Sequence, residues 1–503
     1  MAQSLFARKP LGLLLAEAEE EGEGRLRRAL GAVHLTALGM GSIIGAGIFV
    51  TTGAIARQTA GPALLLSYVV AGLACIFAAL CYAEFASIVP VSGSAYTYTY
   101  ATLGELFAWI MGWDLVLEYA GGAALVANGW SGYLQSVLSS FGITLPRAIS
   151  GAVVRYDPGL GRLLPTGSLL NLPAVLIVAL LLVVLIAGIR ESARFNAVMV
   201  VVKLATVLFV IVVGAFHVDP RNWHPFAPYG MTGVVLFGKT LLGHTDPGGR
   251  PVGMLAGAAL AFLAYLGFDA VSTQSEEARR PQRDVPIGIV ASLFICTLLY
   301  MGVIAVLTGM VPYDKLDLNA PLANAFAQVG LPWAKLLIAL AGVAGITTVL
   351  LVLLLALPRI LLAMARDGLL PSGFFAAVHP RFRTPHKATL ATGLLVGLVT
   401  AFLPIDVIVN LVNMGTLLAF VIVCAAIPVM RRTHPDAVRH FRVPFVPLIP
   451  ILGVLSCLLL MCSLPAENWL RLGVWFAVGM AIYLLYGRRH SVLRRATPSK
   501  PVL

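Results

Sequence analysis

The sequence predicts an all-α polytopic membrane protein with twelve transmembrane helices. Three observations carry that prediction: the composition, the number and length of the apolar segments, and the placement of the basic residues. Of the 503 residues, 59% are hydrophobic and only 12% charged, and the mean hydropathy is +0.90. Soluble domains average about 45–50% apolar and about 25% charged residues. A membrane helix needs about 20 mostly apolar residues. Twelve segments meet that need: 34–56, 62–88, 97–136, 169–189, 193–216, 252–276, 286–311, 332–365, 388–404, 406–430, 445–463 and 468–486. The third and eighth are long enough to tilt or to extend past the bilayer. The formal charge of +12 would also suit a nucleic-acid binder, but its distribution does not. With the N-terminus in the cytoplasm, 23 Lys and Arg fall in cytoplasmic segments and 10 on the other side, leaving Lys203 and Arg359 within or at the edge of helices. This asymmetry is a topology signal that puts both termini inside a multi-pass inner membrane protein. The basic excess therefore implies a lipid bilayer and no nucleic acid.

Along the chain, 1–32 reads as a cytoplasmic segment. Within it, 11-LGLLLAEAEEEGEGRLRRAL-30 is expected to form a short helix, acidic and then basic, and it lacks the features of a cleavable signal peptide. The first span contains 39-GMGSIIGAGIFV-50, with four glycines in nine positions. Glycine costs roughly 1 kcal/mol relative to alanine in a helix interior. A span broken at Gly45–Gly47 would expose amides and carbonyls that persist in a membrane only where protein, water or a ligand satisfies them. Amides opening the second half can bind a carboxylate, and carbonyls closing the first half can accept from an ammonium. An amino acid zwitterion offers both groups. Close helix packing is the alternative, because Gly41 and Gly45 also have the small-xxx-small spacing of helix contacts. The sixth span, 256-AGAALAFLAYLGFDAVSTQSEE-277, carries Gly257 and Gly267 and turns polar from Asp269 onward. Two interrupted spans five apart point to an inverted repeat. Loops are short except 137–168 and 217–251 on the outer face. Neither resembles a folded domain, and 244-HTDPGGRP-251 reads as turn-rich.

An ionisable residue at a span centre costs about 2.5–3.5 kcal/mol on the insertion scale, so it points to function. Lys203 lies mid-span in 193–216, too deep to reach either surface, and is a candidate for proton exchange. Asp269 follows the break at Gly267 and reads either as a proton acceptor or as a cap for the restarting helix. Asp114 and Glu118 are four residues apart and share a helix face that must look into the bundle. Glu118 is the candidate to neutralise a cationic substrate, and Asp114 is assigned a structural or gate contact. Glu84 reads as structural, and Arg359, after Pro358, as a cytoplasmic-end anchor. The six cysteines all lie in apolar segments without a CxxC pair, so inert thiols are expected, with no disulfide framework and no metal site. The nine histidines show no metal spacing, and no phosphate-binding loop is present, which argues against an enzyme and against ATP-driven transport.

The stretches GMGSIIGAGIFV, 261-AFLAYLGFDAVSTQSEEARRPQRDVPIGI-289, 347-TTVLLVLLLALPRILLAMARDGLLP-371 and 441–490 together resemble the cationic amino acid transporter branch of the amino acid–polyamine–organocation superfamily. The resemblance runs from about 25 to 495 in the expected order. It implies a LeuT-like fold of ten core helices (33–432), built as inverted five-helix repeats at about 33–216 and 252–432 with helices 1 and 6 broken. Two C-terminal helices (433–487) and a basic cytoplasmic tail (488–503) follow. It also implies alternating access around a midplane site. By motif position, Ile43, Ala46 and Gly47 would hold the substrate's carboxylate and amine, and Leu263, Ala264 and Leu266 would line the site. Lys203 matches the family's fifth-helix lysine that contacts the first broken helix, and Asp269 a sixth-helix carboxylate implicated in protonation. Glu118 matches a third-helix acid linked to cationic substrates.

Two departures bear on the substrate. Leu263 stands where relatives carry Phe as a lid, leaving occlusion looser or dependent on Phe262. In addition, 352-VLLLALPR-359 is aliphatic where relatives carry polar groups and Met, which favours alanine or another small or apolar amino acid at least as much as arginine. The resulting expectation is a secondary transporter importing an L-amino acid, neutral or cationic, by proton symport, with no cofactor beyond the proton. Exchange, polyamine transport and a non-transporting amino acid sensor are the alternatives. An accessory small membrane subunit is left open, with nothing in the sequence to mark it.

Overall fold

The computed structural model describes residues 5–10, 12, 30–88, 94–157, 162–187, 193–236, 239–380, 382, 384–403 and 405–496. The helix expected over 11–30 lies almost wholly outside them. In chain order the helices that shape the fold are α1 (Ala32–Ile43), α2 (Ala46–Phe49), α3 (Thr51–Ile55), α4 (Leu64–Ile88), α5 (Ser94–Thr102), α6 (Glu105–Ser140), α7 (Leu172–Ile186), α8 (Ala193–Ala215), α9 (Met254–Ala261) and α10 (Pro281–Met310). Then come α11 (Pro321–Gln328), α12 (Pro332–Arg366), α13 (His386–Phe402), α14 (Ile405–Thr433), α15 (Leu448–Cys462) and α16 (Glu467–Ile482). Local sequence explains several starts. Asn171 caps α7 by accepting from the Ala174 amide, and proline occupies the first turn of α10, α11 and α12, where its missing N–H has no helical acceptor to lose.

Among the described residues, eight helical runs are long and apolar enough to cross a membrane, accompanied by the shorter apolar helices α1, α7, α13 and α15. Burial sorts them into layers. The most apolar stretch of α6 is 89% buried and that of Met254–Ser272 is 83% buried, so these two runs form the axis of the bundle. The run beginning at Glu467 is only 22% buried and lies at the periphery. α12 packs along α6, α10 against α1 and α4, and α14 between α6 and α15.

The structure departs from the sequence expectation in two places. The third apolar segment is two helices, not one. α5 and α6 meet at Gly104, whose φ of +99° suits glycine, and whose missing Cβ leaves room for the backbone of Phe6. The two long loops also hold short antiparallel hairpins: β1 (Val154–Asp157) with β2 (Arg162–Pro165), β3 (Val234–Leu236) with β4 (Lys239–Leu242), and β5 (His244–Thr245) with β6 (Pro251–Val252). These hairpins lie on the face opposite the chain termini, called the far face below. The face carrying residues 5–10 and 488–496 is the terminal face.

Candidate functional site

The site begins where α1 ends. Ile44 leaves the helix with ψ of 95°, its amide still bonded to Met40 O at 2.9 Å, and α2 starts after Gly45. The sixth span breaks at the same level. A 3-10 turn, Phe262–Tyr265, follows α9, Gly267 turns with φ of +109°, and a second 3-10 run, Asp269–Glu277, resumes. The two breaks touch backbone to backbone. A Cβ on Gly47 would run into the Ala264 backbone, and one on Gly267 would stand 3.0 Å from Ser42 O. Glycine is thus required by close approach at Gly47, and by both φ and approach at Gly267.

A helix end leaves backbone groups without intrahelical partners, and here side chains satisfy most of them. Gly41 O, whose helical donor would be the Gly45 amide, accepts instead from Lys203 Nζ at 2.5 Å. Lys203 is 1% exposed, and its methylene chain lies against Gly345 of α12. The Tyr300 hydroxyl donates toward both Ile43 O (2.8 Å) and Ala264 O (3.1 Å), spanning the two breaks. Ser42 Oγ lies 2.9 Å from Gly267 O. Beyond the break, Gly47 O accepts from Tyr68 (2.9 Å) and Thr51 (2.7 Å), and Phe49 O from Tyr133 (2.6 Å). The amides are different. Among the described residues, none accepts a hydrogen bond from the amides of Gly45, Ala46 or Gly47, although all three residues are buried. Buried amides without an acceptor are rare and costly, so this trio calls for one.

The trio borders a cavity of about 30 Å³ between the two breaks, α6 and α12. Such a volume holds about one water, so the two breaks are closed upon each other. Ile43, Ala46, Gly47, Leu263 and Leu266 line it, as do Gly122, Leu125 and Val126 of α6 and Val349, Val352 and Leu353 of α12. Apart from Ser42, every side chain on its wall is apolar. Toward the far face, starting at Val50, Asn128 and Leu260, a vestibule of about 760 Å³ opens. Its charged residues are Arg57, Arg155, Arg250 and Asp246. On the terminal side, Leu30 pairs with Ala278, and Glu84 takes bonds from Arg431 (2.7 and 3.0 Å) and from the Val443 amide (2.7 Å).

The structure gathers most of the sequence-derived candidates. Ala264 packs against Gly47 and accepts from Tyr300 but is not on the cavity wall, and Glu84 is held in an ion pair with Arg431. Glu118 does not line the cavity. It sits one turn below Gly122, 1% exposed, with Asp269, Asp114 and Thr416 among its polar neighbours. Asp269 opens the second 3-10 run and accepts from the Tyr119 hydroxyl at 2.9 Å. Asp114, expected to make a structural or gate contact, is buried, and among the described residues neither of its carboxyl oxygens has a hydrogen-bond partner. Phe262 packs on Phe420 with ring centroids 5.4 Å apart and is not on the cavity wall, whereas Leu263 is. Among the described residues no group of His, Cys, Asp and Glu could hold a metal, and the cysteines are free thiols. Sequence reasoning passed over Tyr300, Tyr68 and Ser42. A signal for Tyr300 existed: it lies mid-span in 286–311, away from the interfaces where tyrosines collect, so its hydroxyl needed a buried partner.

Known proteins resemble the chain over almost its whole length. A family model described as an amino acid permease matches residues 30–482. The methylthioribose transporter of Bacillus subtilis is 46% identical over 98% of this chain and all of its own. The branched-chain amino acid permease BcaP of the same organism is 45% identical over 98% of this chain and all of its own. The vacuolar cationic amino acid transporter 4 of Arabidopsis thaliana is 30% identical over 95% of this chain and 94% of its own.

Proposed function

The chain belongs to the amino acid permease family of the amino acid–polyamine–organocation superfamily, and from that premise we propose that it imports a small or apolar uncharged L-amino acid by proton symport. Family membership makes it an integral membrane transporter of the amino acid class rather than an enzyme. The observation that carries the finer reading is the trio of free amides at Gly45, Ala46 and Gly47 beside carbonyls held by Lys203 and Tyr300.

In this reading the substrate carboxylate takes the three amides at the start of the second half-helix. Its ammonium takes Ile43 O and Ala264 O, which the Tyr300 hydroxyl gives up. The side chain then lies against Leu125, Val126, Val352 and Leu353, where a charged group would find no counter-charge. Three arginines against one aspartate in the vestibule also disfavour approach of a cation. The substrates named for the two Bacillus subtilis relatives, methylthioribose and branched-chain amino acids, agree with an uncharged substrate. Lys203, bearing its proton, holds the last turn of α1. Loss of the proton removes the charge that strengthens this hydrogen bond, loosens the hold on α1, and links proton release to opening of the terminal side. The vestibule closes in the same cycle, giving alternating access in a LeuT-like pair of inverted five-helix repeats. The basic residues of the terminal face support a reading in which both termini lie in the cytoplasm.

A thermal-shift screen of the twenty amino acids on purified protein tests the substrate class. Stabilisation by alanine, valine, leucine or methionine supports the reading; stabilisation by arginine and lysine alone contradicts it. Counterflow with and without internal substrate separates symport from exchange.

A further inference from the structure

The described segments nearest the two ends, 5–10 and 488–496, converge on one junction, the Gly104 turn between α5 and α6. Glu105, the first residue of α6, is 0% exposed, yet its carboxylate is fully engaged. Oε1 accepts from Tyr483 (2.8 Å) and from Arg494 Nε (2.8 Å). Oε2 accepts from Tyr100 (3.2 Å) and from the Ser491 hydroxyl. Ser491 and Arg494 belong to the tail that follows the last span. The tail is bound again by its backbone, the Val492 amide donating to Asp367 O at 3.0 Å just past α12. Asp367 in turn accepts from Tyr96 (2.7 Å) on α5 and from Lys9 (3.2 Å) of the N-terminal strap. The strap runs along the same junction: the amides of Glu105 and Leu106 donate to Ala7 O (2.9 Å) and Leu5 O (3.1 Å). Phe6 packs on Phe107 with ring centroids 6.0 Å apart.

We propose that the C-terminal tail and the N-terminal strap form a latch that holds the terminal face closed, with Glu105 as the residue on which it fastens. This rests on the transporter reading above. The argument is what lies behind the junction. α5 packs directly on the 3-10 run Asp269–Glu277, the terminal-side half of the broken sixth span, and on α14. Tyr98 of α5 stacks on Phe85 of α4 at 5.3 Å. With α1 displaced, a route from the cavity to the terminal face also passes the contact between Asp269–Glu277 and α5. α5 has only nine residues and a glycine turn at its end, so it can swing as a unit once Glu105 and Asp367 release their partners. The fastening is cooperative, since withdrawing Arg494 and Ser491 leaves a buried carboxylate short of donors, a state that favours either full engagement or full release. Release lets α5 and the sixth-span half part; re-engagement resets the closed terminal face.

The test uses the full chain in proteoliposomes, with a cysteine at Ser272, which is buried on the sixth-span half. An impermeant maleimide is applied from the terminal side. Arg494→Ala, and separately truncation after Gly487, should raise the labelling rate of Ser272→Cys about fivefold or more, the size of a typical coupling between sites, relative to the same chain with the tail intact. A second arm closes the latch covalently. Cysteines at Val492 and Asp367, joined by oxidation, should arrest transport, and reduction should restore it to the level of Asp367→Cys alone. Unchanged labelling in both tail variants, or normal transport by the oxidised tether, overturns the latch. Substrate binding in the thermal-shift screen reports on the cavity alone, so failure of the transporter reading is distinguished from failure of the latch.

Discussion

Lys203 and Gly41 are joined nitrogen to oxygen at 2.5 Å, and the carbonyl involved is the one whose helical donor, the Gly45 amide, has left the helix. One ammonium on α8 thus replaces a backbone hydrogen bond that the break removed. Hydrogen bonds to charged groups contribute about 1.5–3 kcal/mol, enough to bias α1 between two positions. Lys203→Met should lower uptake by about tenfold to a hundredfold while the purified protein remains monodisperse and still binds substrate in a thermal-shift assay. Uptake within twofold of the wild type would remove Lys203 from the account.

The glycines of the first break should not be equal. At Gly47 an added methyl meets the Ala264 backbone, which cannot move aside, whereas at Gly45 it meets the Val349 side chain, 2.9 Å away, a neighbour that yields more readily than backbone. Gly47→Ala should abolish substrate binding and cost about 1–3 kcal/mol of stability, the usual range for overpacking. Gly45→Ala should keep measurable binding. Binding constants and melting temperatures of the two variants decide the matter.

Tyr300→Phe removes the hydroxyl between Ile43 O and Ala264 O without changing the ring contacts to Tyr68 and Tyr265. The loss of a neutral hydrogen bond is about 1 kcal/mol. If Tyr300 gives up these carbonyls to the substrate amine, the variant should change substrate affinity and maximal rate unequally. Equal affinity and rate to the wild type would reduce Tyr300 to packing.

Side-chain selectivity should follow the wall formed by α6 and α12. Leu353→Ala, beside Gly122, should extend transport toward longer apolar amino acids. Glu118→Gln should leave affinity for a neutral amino acid within about twofold, because Glu118 lies outside the cavity wall. A competition assay against radiolabelled substrate reads both. Loss of neutral substrate binding in Glu118→Gln would show that the carboxylate reaches the substrate.

The apolar segments and the odd glycines were legible in the sequence because they are local signals. The run containing Gly39, Gly41, Gly45 and Gly47 and the polarity switch at Asp269 stand out on any membrane span. The direction in which a side chain points was not legible. Asp114 and Glu118 share a helix face with Gly122, but only the packing of α14 decides that the carboxyls sit below the cavity while the glycine faces it. Gly104 was hidden in an apolar stretch where one glycine is ordinary, and the Phe6 backbone that leaves no room for a Cβ there comes from the strap, nearly a hundred positions earlier. The contacts of Lys9, Ser491 and Arg494 likewise join opposite ends of the chain, and no periodicity reports such pairings.

The most direct measurement is uptake of a neutral L-amino acid into proteoliposomes under an imposed pH gradient, acidic outside. The account predicts accumulation above equilibrium, abolished by a protonophore and absent from Lys203→Met. Accumulation that is the same with and without the gradient, or normal gradient-driven uptake by Lys203→Met, would contradict it.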